Sequence, residues 1–63
     1  MKAERIITVQ RMNNFWHVRL MRWRKETNMF ECEVTSNIEH ESKEKAVRHA
    51  QFWAECDDVP YVE

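Results

Sequence analysis

The sequence has no glycine in 63 residues, where average usage near 7% would supply about four. That absence removes every motif in which backbone must approach a phosphate or pass through a strained turn. Dinucleotide fingerprints, phosphate-binding loops, calcium loops and the nucleophile elbow all need glycine at fixed places. Proline occurs once, as Pro60, and cysteine twice, as Cys32 and Cys56. Two cysteines allow at most one disulfide, and in a reducing cytosol they are expected to be buried thiols. No apolar run reaches the length of a signal or membrane segment, and the chain opens on the charged Met1-Lys2-Ala3-Glu4-Arg5. The expectation is a cytoplasmic protein with no membrane contact. At 7.8 kDa one small domain spanning residues 1–63 is expected, with no room for a cleft between two lobes.

What is present is a globular balance, 43% hydrophobic and 33% charged, with a net charge of −1 that is unevenly spread. Residues 1–25 carry seven basic side chains against Glu4, whereas residues 26–63 carry ten acids against Lys43, Lys45 and Arg48. The halves either neutralise each other by pairing or leave a bipolar surface that steers a charged partner.

Asparagine tolerates positive φ best after glycine, and Asn13-Asn14, Asn28 and Asn37 fall where turns are needed. Between them lie three runs of strand character: Arg5–Met12, Phe15–Arg24 and Met29–Ser36. Short connections make consecutive antiparallel hairpins of them. After Asn37 the period changes. Ser42 suits an N-cap, Glu44 complements the positive end of a helix, and Ala46, Val47, Ala50, Trp53 and Ala54 form an apolar stripe. Pro60 ends the helix, and Tyr61-Val62 could add a short final strand. The expected class is α+β: a three-stranded antiparallel meander with one C-terminal helix packed on one face, β-β-β-α. Val18, Leu20, Phe30, Val34, Ala50 and Trp53 form its expected core.

A single helix covers one face of a sheet. In the second strand Trp16, Val18 and Leu20 share a side with Arg22 and Arg24, while Phe15, Met21 and Trp23 share the other with His17 and Arg19. Two readings stay open: a β-bulge near Met21 returns Trp23 to the core side, or the helix-free face displays aromatic, methionine and arginine side chains together. The second combination is enriched at protein interfaces and their hot spots. The same basic and aromatic residues also suit a nucleic-acid surface, with tryptophan stacking on bases and Arg19, Arg22, Arg24 and Lys25 on phosphates. A pI of 6.3 and the glutamates Glu31 and Glu33, placed to pair with Arg22 and Arg24, argue against it.

No spacing of catalytic type is found. His17, His40 and His49 with Cys32 and Cys56 lack the short ligand pairs of a zinc site, and His49 and Cys56 lie two helical turns apart. Asp57-Asp58 are neighbours at a helix end that point apart into solvent. The chain is read as a non-enzyme with no cofactor and no metal.

Val18-Arg19-Leu20-Met21-Arg22-Trp23-Arg24-Lys25, then Met29-Phe30, then Glu33-Val34-Thr35, resemble a hairpin of the Dmd antitoxins of T-even phages. That family has glycine where Arg22 stands here. The resemblance covers under a third of the chain and implies a small protein of the host-cell cytoplasm that binds an RNase LS-type toxin and occludes its active-site groove. Phe15-Trp16 opening a strand, followed by a helix with Ala46, Ala50 and Trp53, is more faintly similar to a small phage inhibitor of bacterial RNA polymerase. The expected function is therefore a phage-type inhibitor of a host enzyme, with a nucleic-acid-binding module as the alternative. Its expected partner-binding residues are Arg19, Met21, Arg22, Trp23, Arg24, Lys25 and Met29.

Overall fold

The computed structural model describes residues 4–63. Lys2, counted above in the basic half, lies outside them. Three strands, β1 (Arg5–Met12), β2 (Phe15–Arg24) and β3 (Met29–Thr35), form one antiparallel sheet in the order β1-β2-β3, followed by helix α1 (Lys43–Asp57). This is the β-β-β-α arrangement expected.

Asparagine replaces glycine at the turns. Met12 pairs with Phe15, so the first hairpin has a two-residue loop, and both loop residues take positive φ, Asn13 at 51° and Asn14 at 70°. Two positive φ values in a two-residue loop match the right-handed twist of the strands they join. Asn28, at φ 57°, ends the second loop. Asn37 does not take this role; the fourth positive φ falls on Asp58, at 54°, which closes α1 in the left-handed region with its N–H donated to the Ala54 carbonyl. At the other end Ser42 caps the helix by accepting from the Lys45 N–H.

The core lies between α1 and the sheet. Ile7, Val18, Leu20, Ala46, Ala50 and Val59 are buried, with Val9, Trp16, Trp53, Ala54 and Tyr61 packed around them. Two alanines at the contact let the helix approach the strands closely. Trp53 keeps its indole N–H satisfied by donating to Asp57 Oδ2 at 2.6 Å. The chain then returns along β1: the Ile7 N–H donates to the Pro60 carbonyl and the Val62 N–H to the Ile7 carbonyl, both at 2.9 Å. The possible final strand thus shrinks to one parallel bridge between Ile7 and Tyr61.

Phe30 and Val34 do not join the core. α1 touches β1 and β2 but not β3, so Val34 stays 44% exposed beside the buried Leu20. Four residues apart on a regular strand, Phe30 and Val34 would share a face. Leu20 pairs with Val34 and Met21 with Cys32, so Glu33 is an extra residue in β3, and this bulge sends Phe30 to the other side. The cysteines also differ from expectation. Both are free thiols, but neither is buried: Cys32 lies on β3, which the helix does not cover, and Cys56 lies in the last turn of α1 itself. Among the described residues no helix is long and apolar enough to cross a membrane.

Candidate functional site

The bulge decides the question of faces. Its extra residue sits in β3, so the alternation of β2 is unbroken and Trp23 stays on the side away from α1. Register builds that face. Ile6 lies opposite Met21, Thr8 opposite Arg19 and Gln10 opposite His17, while on the far side of β2 Trp23 faces Phe30 and Met21 faces Cys32. No helix covers these groups.

Trp23 is half-buried rather than fully displayed. Its ring meets that of Phe30 edge to face, with centroids 5.1 Å apart and an interplanar angle of 70°. Arg19, half-buried in the middle of the central strand, is held from two sides: its Nε donates to Cys32 Sγ at 3.3 Å, and its Nη1 donates to Gln10 Oε1. Thr35 Oγ1 lies 3.2 Å from the same sulfur. Burial pushes the Cys32 thiol up, but the hydrogen bonds from Thr35 and Arg19, with the Arg19 charge, outweigh it and leave the pKa below its ordinary value. At one end of the face His17 Nε2 stands 3.7 Å from Glu39, and its buried Nδ1 makes no hydrogen bond among the described residues.

The seven expected partner-binding residues are divided between the two faces. Arg19, Met21 and Trp23 lie on the open one. Arg22, Arg24 and Met29 share the helix side, beyond the area the helix covers, and Lys25 lies in the connecting loop. Arg24 donates to Glu31 at 2.8 Å, while Glu33 lies 4.0 Å from Arg22 and 3.5 Å from Arg5. Glu4 adds a second carboxylate 3.8 Å from Arg22. The hydrogen bond and charge of Glu31 raise the Arg24 pKa further above its ordinary value. The expected cross-strand pairing of Arg22 and Arg24 with Glu33 and Glu31 is present.

A second cluster joins the loop before α1 to the helix. His40 Nε2 and His49 Nδ1 are 2.9 Å apart, and His49 stacks on Trp53 with centroids 6.2 Å apart. Lys43 lies over Trp16 nearby, 5.8 Å from the ring centroid. Helical spacing relates His49 to Cys56, whereas its actual partner comes from a loop that no periodicity connects to it. Among the described residues no group of three or more histidines, cysteines or acids is placed to hold a metal ion. Ile6, Phe30 and Cys32 were also missed as members of the open face. Hairpin register could have found Ile6, but Phe30 and Cys32 depend on the position of the bulge.

No family model, curated protein or solved structure matches this chain.

Proposed function

We propose that this chain is a small phage-type inhibitor, with no chemistry of its own, that docks the open face of its sheet on a host enzyme and blocks it. The observation that carries this reading is the face itself. Met21, Ile6 and the Trp23–Phe30 pair lie together on adjacent strands beside an arginine held by two hydrogen bonds, with no helix over them. Aromatic, methionine and arginine side chains in such a cluster are the usual anchors of protein interfaces. The Dmd-like residues fall on the β2–β3 hairpin that contributes most of this face. A toxin RNase of the LS type is thus the first target to test, and bacterial RNA polymerase the second.

The ion pairs of Arg22 and Arg24 favour a protein partner over a nucleic acid. Arginines already matched by Glu4, Glu31 and Glu33 have little charge left for phosphates. The test is inhibition of each enzyme by the wild-type chain and by Trp23→Ala and Met21→Ala, with circular dichroism to show that each variant folds. Near-stoichiometric inhibition that both folded variants lose supports the proposal. Binding to neither enzyme, with single-stranded RNA bound instead and a salt slope that falls by about one unit on Arg24→Ala, overturns it.

A further inference from the structure

Among the described residues Arg19 is the one half-buried arginine of the three strands; Arg5, Arg11, Arg22 and Arg24 are exposed. Arg5, Arg22 and Arg24 each lie within 4.0 Å of a glutamate. Arg19 has no carboxylate partner among the described residues, and its two hydrogen bonds go to a neutral amide oxygen and a sulfur. It is also half-buried in the middle strand, between Thr8 and Thr35 and two residues from Met21. A guanidinium in that position has lost part of its hydration without gaining a counter-charge, while its remaining N–H donors keep a fixed direction. At one end of this face the Glu39 carboxylate stands 3.7 Å from His17 Nε2.

We infer that Arg19 is the anchor for a carboxylate of a protein partner, an aspartate or glutamate flanked by apolar side chains that rest on Met21 and the Trp23–Phe30 pair. This rests on the reading of the open face as a docking surface and adds the chemistry of what docks there. A carboxylate accepts two parallel hydrogen bonds from the planar guanidinium, and the apolar groups on the Met21 side limit the access of water to the pair. Gln10 and Cys32 hold the arginine side chain before the partner arrives, which lowers the ordering entropy lost on binding. A phosphate could use the same donors. The surrounding groups, however, are methionine, threonine and a paired aromatic, and among the described residues no second uncompensated cation stands beside Arg19 on this face to hold a phosphate chain.

The test selects binders from a library of random twelve-residue peptides against the folded wild-type chain, then measures them against Arg19→Gln, Arg19→Lys, Trp23→Ala and Met21→Gln. Circular dichroism confirms that each variant folds, and Met21→Gln stands in should Trp23→Ala fail to. The expected result is peptides that carry an acid between apolar residues. They should lose roughly tenfold or more in affinity on Arg19→Gln and less on Arg19→Lys, and should weaken on Trp23→Ala or Met21→Gln. Peptides that weaken on Trp23→Ala or Met21→Gln but bind Arg19→Gln as well as wild type overturn the carboxylate anchor and leave the docking face standing. Peptides indifferent to all four changes, or no binders at all, overturn both. A uridine dodecamer that binds the wild type and loses affinity on Arg19→Gln, where no acidic peptide does, overturns the assignment in favour of phosphate.

Discussion

Cys32 and His49 owe their chemistry to the side chains packed against them. Arg19 reaches the Cys32 sulfur from the neighbouring strand and Thr35 from three residues along the same one, and together they lower its pKa against the opposing effect of burial. An exposed thiol with that bias holds a larger thiolate fraction at neutral pH. Iodoacetamide should therefore alkylate Cys32 ahead of Cys56, as followed by mass spectrometry of the intact protein and its peptides, and Arg19→Gln should slow Cys32 while leaving Cys56 alone. Equal rates, unmoved by Arg19→Gln, would remove the account of the thiol. For His49 the shift runs the same way for different reasons: burial first, then the charge of His40, hold its pKa below the ordinary 6.5. The unfolded chain then binds the proton more readily than the folded one. Stability should fall as pH drops through about 6.5 and level off once the folded-state pKa is passed. Thermal midpoints measured between about pH 7.5 and 5.5 should decline for the wild type and decline less for His49→Gln. A midpoint as steep in the variant would assign the effect elsewhere.

Among the elements, the hairpins and the helix follow local rules, and these were the legible parts. β1 and β2 end where the sequence placed them, because Asn13-Asn14 is a two-residue turn in its own right. α1 starts at the cap that Ser42 provides and buries Ala46 and Ala50 of its apolar stripe. Alanine at position 14 would have to enter positive φ with no side-chain amide to help, at a cost of about 1 kcal/mol, whereas Asn14→Gly should hold or raise stability. Urea unfolding of the two variants distinguishes them, and an equal loss in both would show that the turn is not held by its φ values. Trp53→Ala strips a half-buried indole from the core and should cost about 2–4 kcal/mol, enough to lower the midpoint sharply in a chain this small. What sequence could not supply was the position of the extra residue in β3. Nothing in Glu31-Cys32-Glu33 distinguishes one glutamate from the other, since a bulge is chosen by the fit of a whole sheet. That one residue moves Phe30 across the sheet and defines the open face. The His40–His49 pair was illegible for a similar reason, as it joins an irregular loop to a helix through packing alone.

Across the whole molecule, helix and sheet do not match in width. α1 spans β1 and β2, and the returning chain at Tyr61 bridges the outer side of β1, but β3 receives no cover from the helix. Its seven residues are exposed except for the half-buried Phe30. The bulge at Glu33 and the charges of Glu31 and Glu33 blunt a free edge that would otherwise invite pairing with other chains. β3 is therefore held by its ladder to β2, by the Trp23–Phe30 contact, by the Arg19–Cys32 hydrogen bond, and by ion pairs to Arg5, Arg22 and Arg24 that lie in solvent. Exposed ion pairs contribute at most about 1 kcal/mol each and weaken as salt is added. Local opening should thus begin at β3, well below the free energy of global unfolding. In native-state hydrogen exchange, amides bonded between β1 and β2 should persist longest, and amides bonded between β2 and β3 should exchange first. Raising salt to about 1 M should widen the difference by screening the ion pairs. Since Phe30 travels with β3, the same opening would dismantle the open face, so an acidic peptide bound at Arg19 as proposed should slow exchange of the β2–β3 amides well beyond its own footprint. Uniform exchange across the sheet, or protection that ignores both salt and peptide, would mean that β3 is as firmly held as the strands beneath the helix.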